Sequence, residues 1–187
     1  MKLAILLFLS IPLAVYAFAQ DRSPDTLRVV PSVDLLRYSG RWYEIARLPN
    51  RFQNDCVSDV SATYTILPDG DIEVVNRCRK SDGGITEARG KARLASDTGP
   101  NTKLEVRFAP AFLSFLPFVW GDYLIIDLAP DYSYAVIGEP DRKYLWILAR
   151  SQGMDEGLCA EILDRVRHQG YDVSTLIRTS HVDQVPR

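Results

Sequence analysis

Residues 38–48 read Tyr-Ser-Gly-Arg-Trp-Tyr-Glu-Ile-Ala-Arg-Leu, with Gly40 two positions before the first tryptophan of the chain. The glycine permits a tight turn, and the aromatic and β-branched residues from Trp42 onward favour a β-strand. Strict alternation then predicts two faces: one with Trp42, Glu44, Ala46 and Leu48, the other with Tyr43, Ile45 and Arg47. A large ring at this turn-to-strand junction either fills an ordinary core or covers one end of a barrel.

Further strand-like segments follow, and most are separated by short turns. The clearest is residues 57–67, where apolar and hydroxyl side chains alternate before the turn at Asp69-Gly70. A run of this kind predicts an antiparallel barrel or sandwich. The eight predicted strands are residues 42–48, 57–67, 72–79, 85–94, 103–108, 123–128, 133–138 and 144–150.

Helical periodicity begins only after the last predicted strand. Within residues 156–168, Leu158, Ile162 and Val166 fall on one stripe, and Gly170 follows as a C-cap. The sequence therefore predicts an all-β fold with one C-terminal α-helix, and the main domain is placed at residues 33–178.

The two ends of the chain differ from this domain. Residues 1–19 combine Lys2, an apolar run and a small-x-small site, which predicts a signal peptide. Residues 20–32 are polar with two prolines and are interpreted as a flexible N-terminal arm, and residues 179–187 as a polar tail. The chain has 22 basic and 24 acidic residues. No nucleic-acid partner is predicted, because binding to a phosphate backbone calls for an excess of basic residues.

An exported chain can form disulfide bonds, and this one has three cysteines. The predicted pair is Cys56 with Cys78, because the turn between them folds their two strands together. The alternative is Cys56 with Cys159, which would tie an early loop to the helix. No cysteine–histidine spacing in the sequence supports a metal site, so none is predicted.

A Gly-x-Trp first strand, eight meander strands and a final helix resemble the lipocalins, in particular the bacterial outer-membrane lipocalin (Blc) group related to apolipoprotein D. The matching segments are residues 40–47, 131–135 and 140–150, and the resemblance spans residues 33–177. It implies an eight-stranded antiparallel up-and-down barrel with the C-terminal α-helix packed outside. It also implies that Gly40 and Trp42 lie at the barrel base and that Arg150 stacks on Trp42 through a cation–π contact.

The resemblance to a lipoprotein group is incomplete, because no lipobox cysteine follows the apolar leader. We therefore expect an exported protein that is periplasmic, associated with the outer membrane, or secreted.

Residues 109–121 read Ala-Pro-Ala-Phe-Leu-Ser-Phe-Leu-Pro-Phe-Val-Trp-Gly, a long apolar link between the fifth and sixth strands. In the implied barrel this link lies at the open mouth. It is interpreted as a lid, a homodimer patch or a tip for peripheral membrane contact, and its apolar extent favours an interaction role. Its candidate residues are Phe112, Phe115, Phe118 and Trp120.

An eight-stranded barrel is either filled by side chains or leaves room for one small ligand. Small residues on one face of the fourth strand favour the cavity. Most candidate ligand-binding residues are those that alternation places on the same inner face as Trp42 and Arg150. Each of them could equally be plain barrel core. Tyr123 is included although both faces of its strand are apolar. The candidates are Ala46, Tyr64, Val74, Asn76, Ala88, Val106, Tyr123, Tyr134 and Trp146.

The resemblance implies binding of a small lipophilic ligand, a fatty acid or a lysophospholipid, for lipid transport, storage or cell-envelope maintenance. One alternative is a protein- or membrane-interaction module that uses residues 109–121. A lipid-modifying enzyme is disfavoured, because His168 and His181 fall outside the predicted barrel and Glu44 lacks an acid–base partner. No catalytic residue and no cofactor are predicted.

Overall fold

The structure, a computed structural model, describes residues 26–182. The predicted signal peptide at residues 1–19, the start of the predicted arm and residues 183–187 lie outside the described residues. No helix among those described is long and apolar enough to cross a bilayer.

Eight antiparallel strands form a closed barrel. Each strand pairs with the next along the chain, and the first also pairs with the eighth, so the predicted up-and-down barrel is confirmed. The strands are β1 (Gly40–Arg47), β2 (Cys56–Ile66), β3 (Ile72–Lys80), β4 (Ile85–Leu94), β5 (Lys103–Arg107), β6 (Gly121–Leu128), β7 (Tyr134–Gly138) and β8 (Leu145–Ala149).

Within residues 26–182, two α-helices and a short ninth strand accompany the barrel: α1 (Leu35–Tyr38), α2 (Glu156–His168) and β9 (Ile177–Arg178). Helix α2 begins where the Asp155 carboxylate accepts a hydrogen bond from the Leu158 amide. Its stripe packs on the outside of the barrel, where Ile162 and Val166 join the same apolar cluster as Ile147 of β8. The predicted position of this helix is therefore confirmed. Three single-turn 3₁₀ helices lie in loops: Arg51–Gln53, Ala111–Leu113 and Pro117–Val119.

The base of the barrel is closed by Trp42, whose side chain is fully buried. The Arg150 guanidinium lies 3.7 Å from the centre of the Trp42 ring. The same guanidinium donates hydrogen bonds to the backbone carbonyls of Arg37, Tyr38 and Arg41. Gly40 enters β1 at a φ of +91°, a conformation that favours glycine.

The described part of the N-terminal arm is packed against the barrel, which differs from the flexible arm expected for residues 20–32. Leu27 is buried in the outer cluster beside α2, and the Val30 amide donates to the Ile125 carbonyl at 2.9 Å. The physical reason is the apolar content of Leu27, Val29 and Val30, which the prolines and charges around them obscured.

The C-terminal segment forms part of the barrel wall. Pairing of β1 with β2 extends only from Gly40 to Tyr43 of β1, and beyond this point residues 177–182, the C-terminal seam, lie between the two strands. The Thr179 amide donates to the Ile45 carbonyl at 3.0 Å, and the Asp59 amide donates to the Ser180 carbonyl at 2.9 Å. The folded domain therefore continues past residue 178, where the sequence predicted a polar tail.

Cys56 and Cys78 form a disulfide bond between β2 and β3, with 5.6 Å between their Cα atoms. Cys159 is a free, buried thiol on α2. The structure thus contains the first of the two pairings considered from the sequence.

Candidate functional site

The interior of the barrel is filled at its base and open at its mouth. Near the base, Trp42, Ile125 and Ala135 are fully buried on the inner side of the wall. Trp42 pairs with Ala62 and Ala62 with Asn76, so Asn76 and its own partner Ala88 also face inward. Ala88 is nevertheless exposed to solvent, which shows that the mouth half of the barrel is a hollow that water can enter.

Three tyrosines meet just inside the base. The hydroxyls of Tyr38 and Tyr123 lie 2.6 Å apart, and Tyr123 donates to the Tyr64 hydroxyl at 2.9 Å. Burial raises the pKa of Tyr64 to about 12 and holds the pKa values of Tyr38 and Tyr123 well above the usual range, so all three stay neutral near pH 7. They border a void of about 10 Å³, close to the size that one water molecule needs.

A network of polar side chains crosses the inner wall toward the mouth. The buried Glu44 carboxylate accepts hydrogen bonds from Arg47 Nη1 at 3.0 Å, from Gln53 Nε2 at 2.6 Å and from the Thr179 hydroxyl. Gln53 Oε1 in turn accepts a hydrogen bond from Trp146 Nε1 at 2.8 Å. Arg47 Nε is buried and has no hydrogen-bond partner among the described residues. The inner wall thus holds the Glu44–Arg47 ion pair, whose charges balance, and the Arg47 Nε–H donor is unused.

Aromatic rings lead from this network to the rim. Tyr144 stacks on Trp146 with 5.9 Å between ring centres, and Phe52 lies 5.5 Å from Tyr144. Phe52 is largely exposed at the edge of the mouth. These three rings form a continuous apolar path from the exterior to the inner wall.

Most of the candidate ligand-binding residues lie on the inner face of the barrel. These are Tyr64, Val74, Asn76, Ala88, Val106, Tyr123 and Trp146. Tyr64 and Val74 are buried near the base, whereas Ala88 lies in the open half. These seven side chains therefore lie on a common inner surface.

Ala46 does not face the interior. A β-bulge between Glu44 and Ala46 sets Glu44 opposite Leu148 but Ala46 opposite Ile147. One extra residue reverses the alternation beyond it, so Ala46 packs in the outer cluster and Arg47 faces inward. The sequence placement of Ala46 in the cavity is wrong for this reason.

Tyr134 also lies outside the barrel. It pairs with Ala149, whereas the inward-facing Trp146 pairs with Ile137. The Tyr134 hydroxyl accepts a hydrogen bond from Arg165 Nη2 of α2 at 2.9 Å. The inner residues of β7 are therefore Ala135 and Ile137, one position out of register with the prediction.

Sequence reasoning missed Arg47 and Gln53 as inner-wall groups. An acid and a base three residues apart in a predicted strand should lie on opposite faces, so only a bulge lets Arg47 reach Glu44. Gln53 lies in a loop, and no local pattern identifies its partner. His181 lies outside the hollow as expected, but it is buried in the C-terminal seam, where Nε2 is 2.9 Å from the Glu44 carbonyl oxygen.

Residues 109–121 form the apolar mouth loop. Phe112, Phe115 and Phe118 are 74%, 77% and 79% exposed. Trp120 anchors the loop instead: the Arg93 guanidinium lies 3.9 Å from its ring centre, and its Nε1 donates to the Ser114 carbonyl. Three of the four candidate residues are therefore presented to solvent on an anchored loop. Residues 26–182 contain no cluster of histidine, cysteine and acidic residues able to hold a metal ion.

Comparison with known proteins places these features in a family context. Residues 33–181 match the family described as a lipocalin-like domain. The chain is 42% identical to temperature-induced lipocalin-1 of Arabidopsis thaliana over 161 residues, covering 86% of each chain. It is 35% identical to outer membrane lipoprotein Blc of Escherichia coli K12 over 164 residues, covering 87% of this chain and 88% of the relative.

Among solved structures, insecticyanin from the tobacco hornworm Manduca sexta is similar with a TM-score of 0.64. The two chains are 21% identical, and the match covers 82% of this chain and 84% of insecticyanin. At this identity the likeness concerns the barrel fold alone.

Proposed function

Because the chain belongs to the lipocalin family, whose members bind small hydrophobic ligands, we propose that its barrel binds a fatty acid or a lysophospholipid. The acyl chain occupies the hollow, and the polar head lies at the mouth. The protein then serves lipid transport, storage or maintenance of the cell envelope.

The observation that carries this proposal is an open hollow whose wall has small and apolar side chains. β4 contributes Ala88, Gly90 and Ala92 to the inner face. The Phe108 ring packs against Gly90 and Ala92 is buried, so the open part of this wall lies at the exposed Ala88. Val106 and Trp146 add apolar surface on neighbouring parts of the wall. Pockets of this composition, with few polar groups, suit a hydrocarbon chain.

The polar network supports the orientation of the head group. Arg47 Nε lies buried without a partner near the mouth, while Glu44 already balances the charge of the guanidinium. A phosphate or carboxylate head would satisfy that donor through a charge-assisted hydrogen bond. The base offers only the linked tyrosine hydroxyls, which leaves little room for a charged group.

The chain is not an enzyme. Lipocalins are generally carriers of ligands, and neither of the relatives named above has a name that indicates catalysis. Glu44 fits this conclusion, because its oxygens already accept hydrogen bonds from Arg47, Gln53 and Thr179.

The test of the lipid proposal is native mass spectrometry of the purified protein, followed by extraction and titration with fatty acid and lysophospholipid. Ala88→Trp should fill the hollow and reduce lipid occupancy at least about tenfold, since the added ring takes the space of several methylene groups. Arg89→Trp, one residue along β4 on the outer face, is the matched control and should retain binding. Equal occupancy in both variants, or no lipid in the unaltered protein at any concentration, would refute the proposal.

The apolar mouth loop supports a second role, peripheral contact with a membrane. Three adjacent exposed phenylalanines on an anchored loop form a surface that a bilayer interface would accept. Phe115→Ser together with Phe118→Ser should weaken sedimentation with phosphatidylcholine vesicles several-fold. If that variant binds vesicles normally but changes from dimer to monomer in sedimentation velocity, the loop is a homodimer patch and the membrane role fails.

We further propose that the protein is exported to the periplasm or the outer membrane, or is secreted. The predicted signal peptide and the name of the outer membrane lipoprotein relative support this location. N-terminal sequencing of the protein from its own compartment should read from Gln20. A chain that retains Met1 would refute export by this route.

A further inference from the structure

A groove of about 440 Å³ lies on the outside of the barrel, separate from the hollow. Its floor includes Ser61 of β2, which pairs with Tyr43 on one side and with Arg77 on the other. The preceding and following residues of these strands, such as Trp42 and Ala62, face the interior. The sheet itself therefore separates the groove from the proposed lipid site.

Three guanidinium groups line the groove, those of Arg41, Arg77 and Arg79. Arg79 donates through Nε to Asp59 at 2.6 Å and through Nη1 to the Gly83 carbonyl, while Arg77 pairs through Nε with Glu87 at 2.8 Å. These contacts leave further N–H donors on each of the two arginines.

Arg41 differs from the other two arginines. Within residues 26–182 its guanidinium has no ion-pair or hydrogen-bond partner, although its side chain lies beside the groove. Its charge is therefore unbalanced locally, in a chain whose formal net charge is −2. In this groove an anion would meet guanidinium N–H donors that are not already paired with a carboxylate.

A second observation points to the same place. His181 lies in the groove wall with its side chain 1% exposed, and its Nδ1 has no hydrogen-bond partner among the described residues. The nearest carboxylate oxygen, from Asp59, is 4.0 Å away. An unsatisfied buried ring nitrogen beside a cluster of guanidiniums indicates a site that a ligand or an ordered water completes.

The groove also has apolar surface at one end. Ile85 and Val182 are both more than half exposed in the groove lining, and Tyr43 lines it as well. Its volume falls within the range of small-molecule pockets. A ligand that matches this surface carries an anionic group on an organic skeleton.

We propose that this groove binds the phosphate group of a small phosphate ester. Guanidinium forks recognise phosphate through paired N–H donors, and the Tyr43 and Ser61 hydroxyls can add further bonds. The same phosphate chemistry is found in a soluble ester and in a phospholipid head group. The site acts independently of the lipid in the barrel.

The test uses the double variant Arg41→Gln/Arg77→Gln. Arg28→Gln/Arg167→Gln is the matched control, because it removes the same charge from exposed positions outside the groove. The probes are glycerol 3-phosphate, measured by isothermal titration calorimetry, and phosphatidylcholine vesicles containing phosphatidic acid, measured by sedimentation. The groove variant should bind about tenfold or more weakly than the control, as expected when charged hydrogen bonds are lost.

The two probes distinguish the source of the phosphate. Loss of glycerol 3-phosphate binding in the groove variant alone indicates a soluble ester, and loss of vesicle binding alone indicates a membrane head group. Equal binding by the two double variants, or no binding of either probe by the unaltered protein, overturns the proposal. Fatty-acid occupancy of the groove variant, measured by native mass spectrometry, verifies its fold and reports on the lipid site separately.

Discussion

The tyrosine hydroxyls at the barrel base make the stability of the fold decrease at alkaline pH. Tyr64 has a folded-state pKa of about 12, whereas in the unfolded chain it ionises near pH 10. Between these two pKa values the folded state keeps a proton that the unfolded state has lost. The contribution of Tyr64 to stability is therefore fully present below about pH 10 and is lost as the pH rises toward 12. For Tyr64 alone the loss amounts to about 2 to 3 kcal/mol.

We expect the free energy of unfolding, measured with urea at a series of pH values, to fall over this range. Tyr64→Phe should lower stability near pH 7 because Tyr123 loses its acceptor, yet it should reduce the decline at alkaline pH. An identical alkaline decline in the variant and the unaltered protein would contradict the assignment to Tyr64.

Single residues also mark the limit of what alternation can predict. On regular stretches, alternation predicts that Tyr64, Val74 and Asn76 face inward, and they do so because each strand keeps its period of two there. Ala46 was misplaced because a bulge depends on long-range pairing with β8, which no local pattern in residues 40–48 reveals. The inner-wall Arg47 was missed for the same reason.

At the scale of elements, the C-terminal seam should stabilise the barrel. A chain that ends at Arg178 loses the partners of the Asp59 amide and the Ile45 carbonyl, and the Glu44 carboxylate loses Thr179. Unpartnered buried groups cost about 1 to 3 kcal/mol each, so we expect a loss of roughly 2 to 4 kcal/mol after partial rehydration.

Urea unfolding followed by tryptophan fluorescence measures this loss. A chain that ends at Val182 keeps all these contacts and is the matched control. If both truncations leave the unfolding midpoint unchanged, the seam contributes nothing to the wall.

The elements themselves could largely be predicted from sequence. Helix α2 and strand β4 have the predicted bounds, because local periodicity and flanking glycines define them. The C-terminal seam could not be predicted, since Thr179, Ser180 and His181 are polar and acquire their extended form only by pairing with distant strands. The packing of the arm at residues 26–32 could not be predicted either, because its apolar residues Leu27, Val29 and Val30 lie among polar and charged residues and find their partners only on distant elements.

At the scale of the whole molecule, the Cys56–Cys78 disulfide links β2 to β3 at the mouth and restricts the conformations open to the unfolded chain. The two cysteines are 22 residues apart, and closing a loop of this length stabilises a protein by about 3 kcal/mol in the chain-entropy account. Reduction should therefore lower the free energy of unfolding by about that amount. Cys159→Ala in both samples prevents exchange with the buried thiol. Equal urea midpoints for oxidised and reduced protein would argue against this contribution.

The barrel exterior has two different halves. Helix α2 and the described part of the N-terminal arm cover the apolar outer cluster, which includes residues of β1, β6, β7 and β8. The outer face of β2 to β4 instead carries charged pairs such as Arg77 with Glu87 and Lys91 with Asp71. The groove lies at the border between these halves, where the C-terminal seam meets β2. The proposed phosphate site and the proposed lipid site therefore lie on opposite faces of the same sheet.

The C-terminal seam also bears on the order of folding. Residues 179–181 fill the gap between β1 and β2, and they follow all eight barrel strands in the sequence. Two early strands are thus joined at this point by a late segment, and contacts of such high sequence separation carry a large entropic cost before they stabilise the fold. We therefore expect the mouth half of the β1–β2 gap to close after the local hairpins have formed.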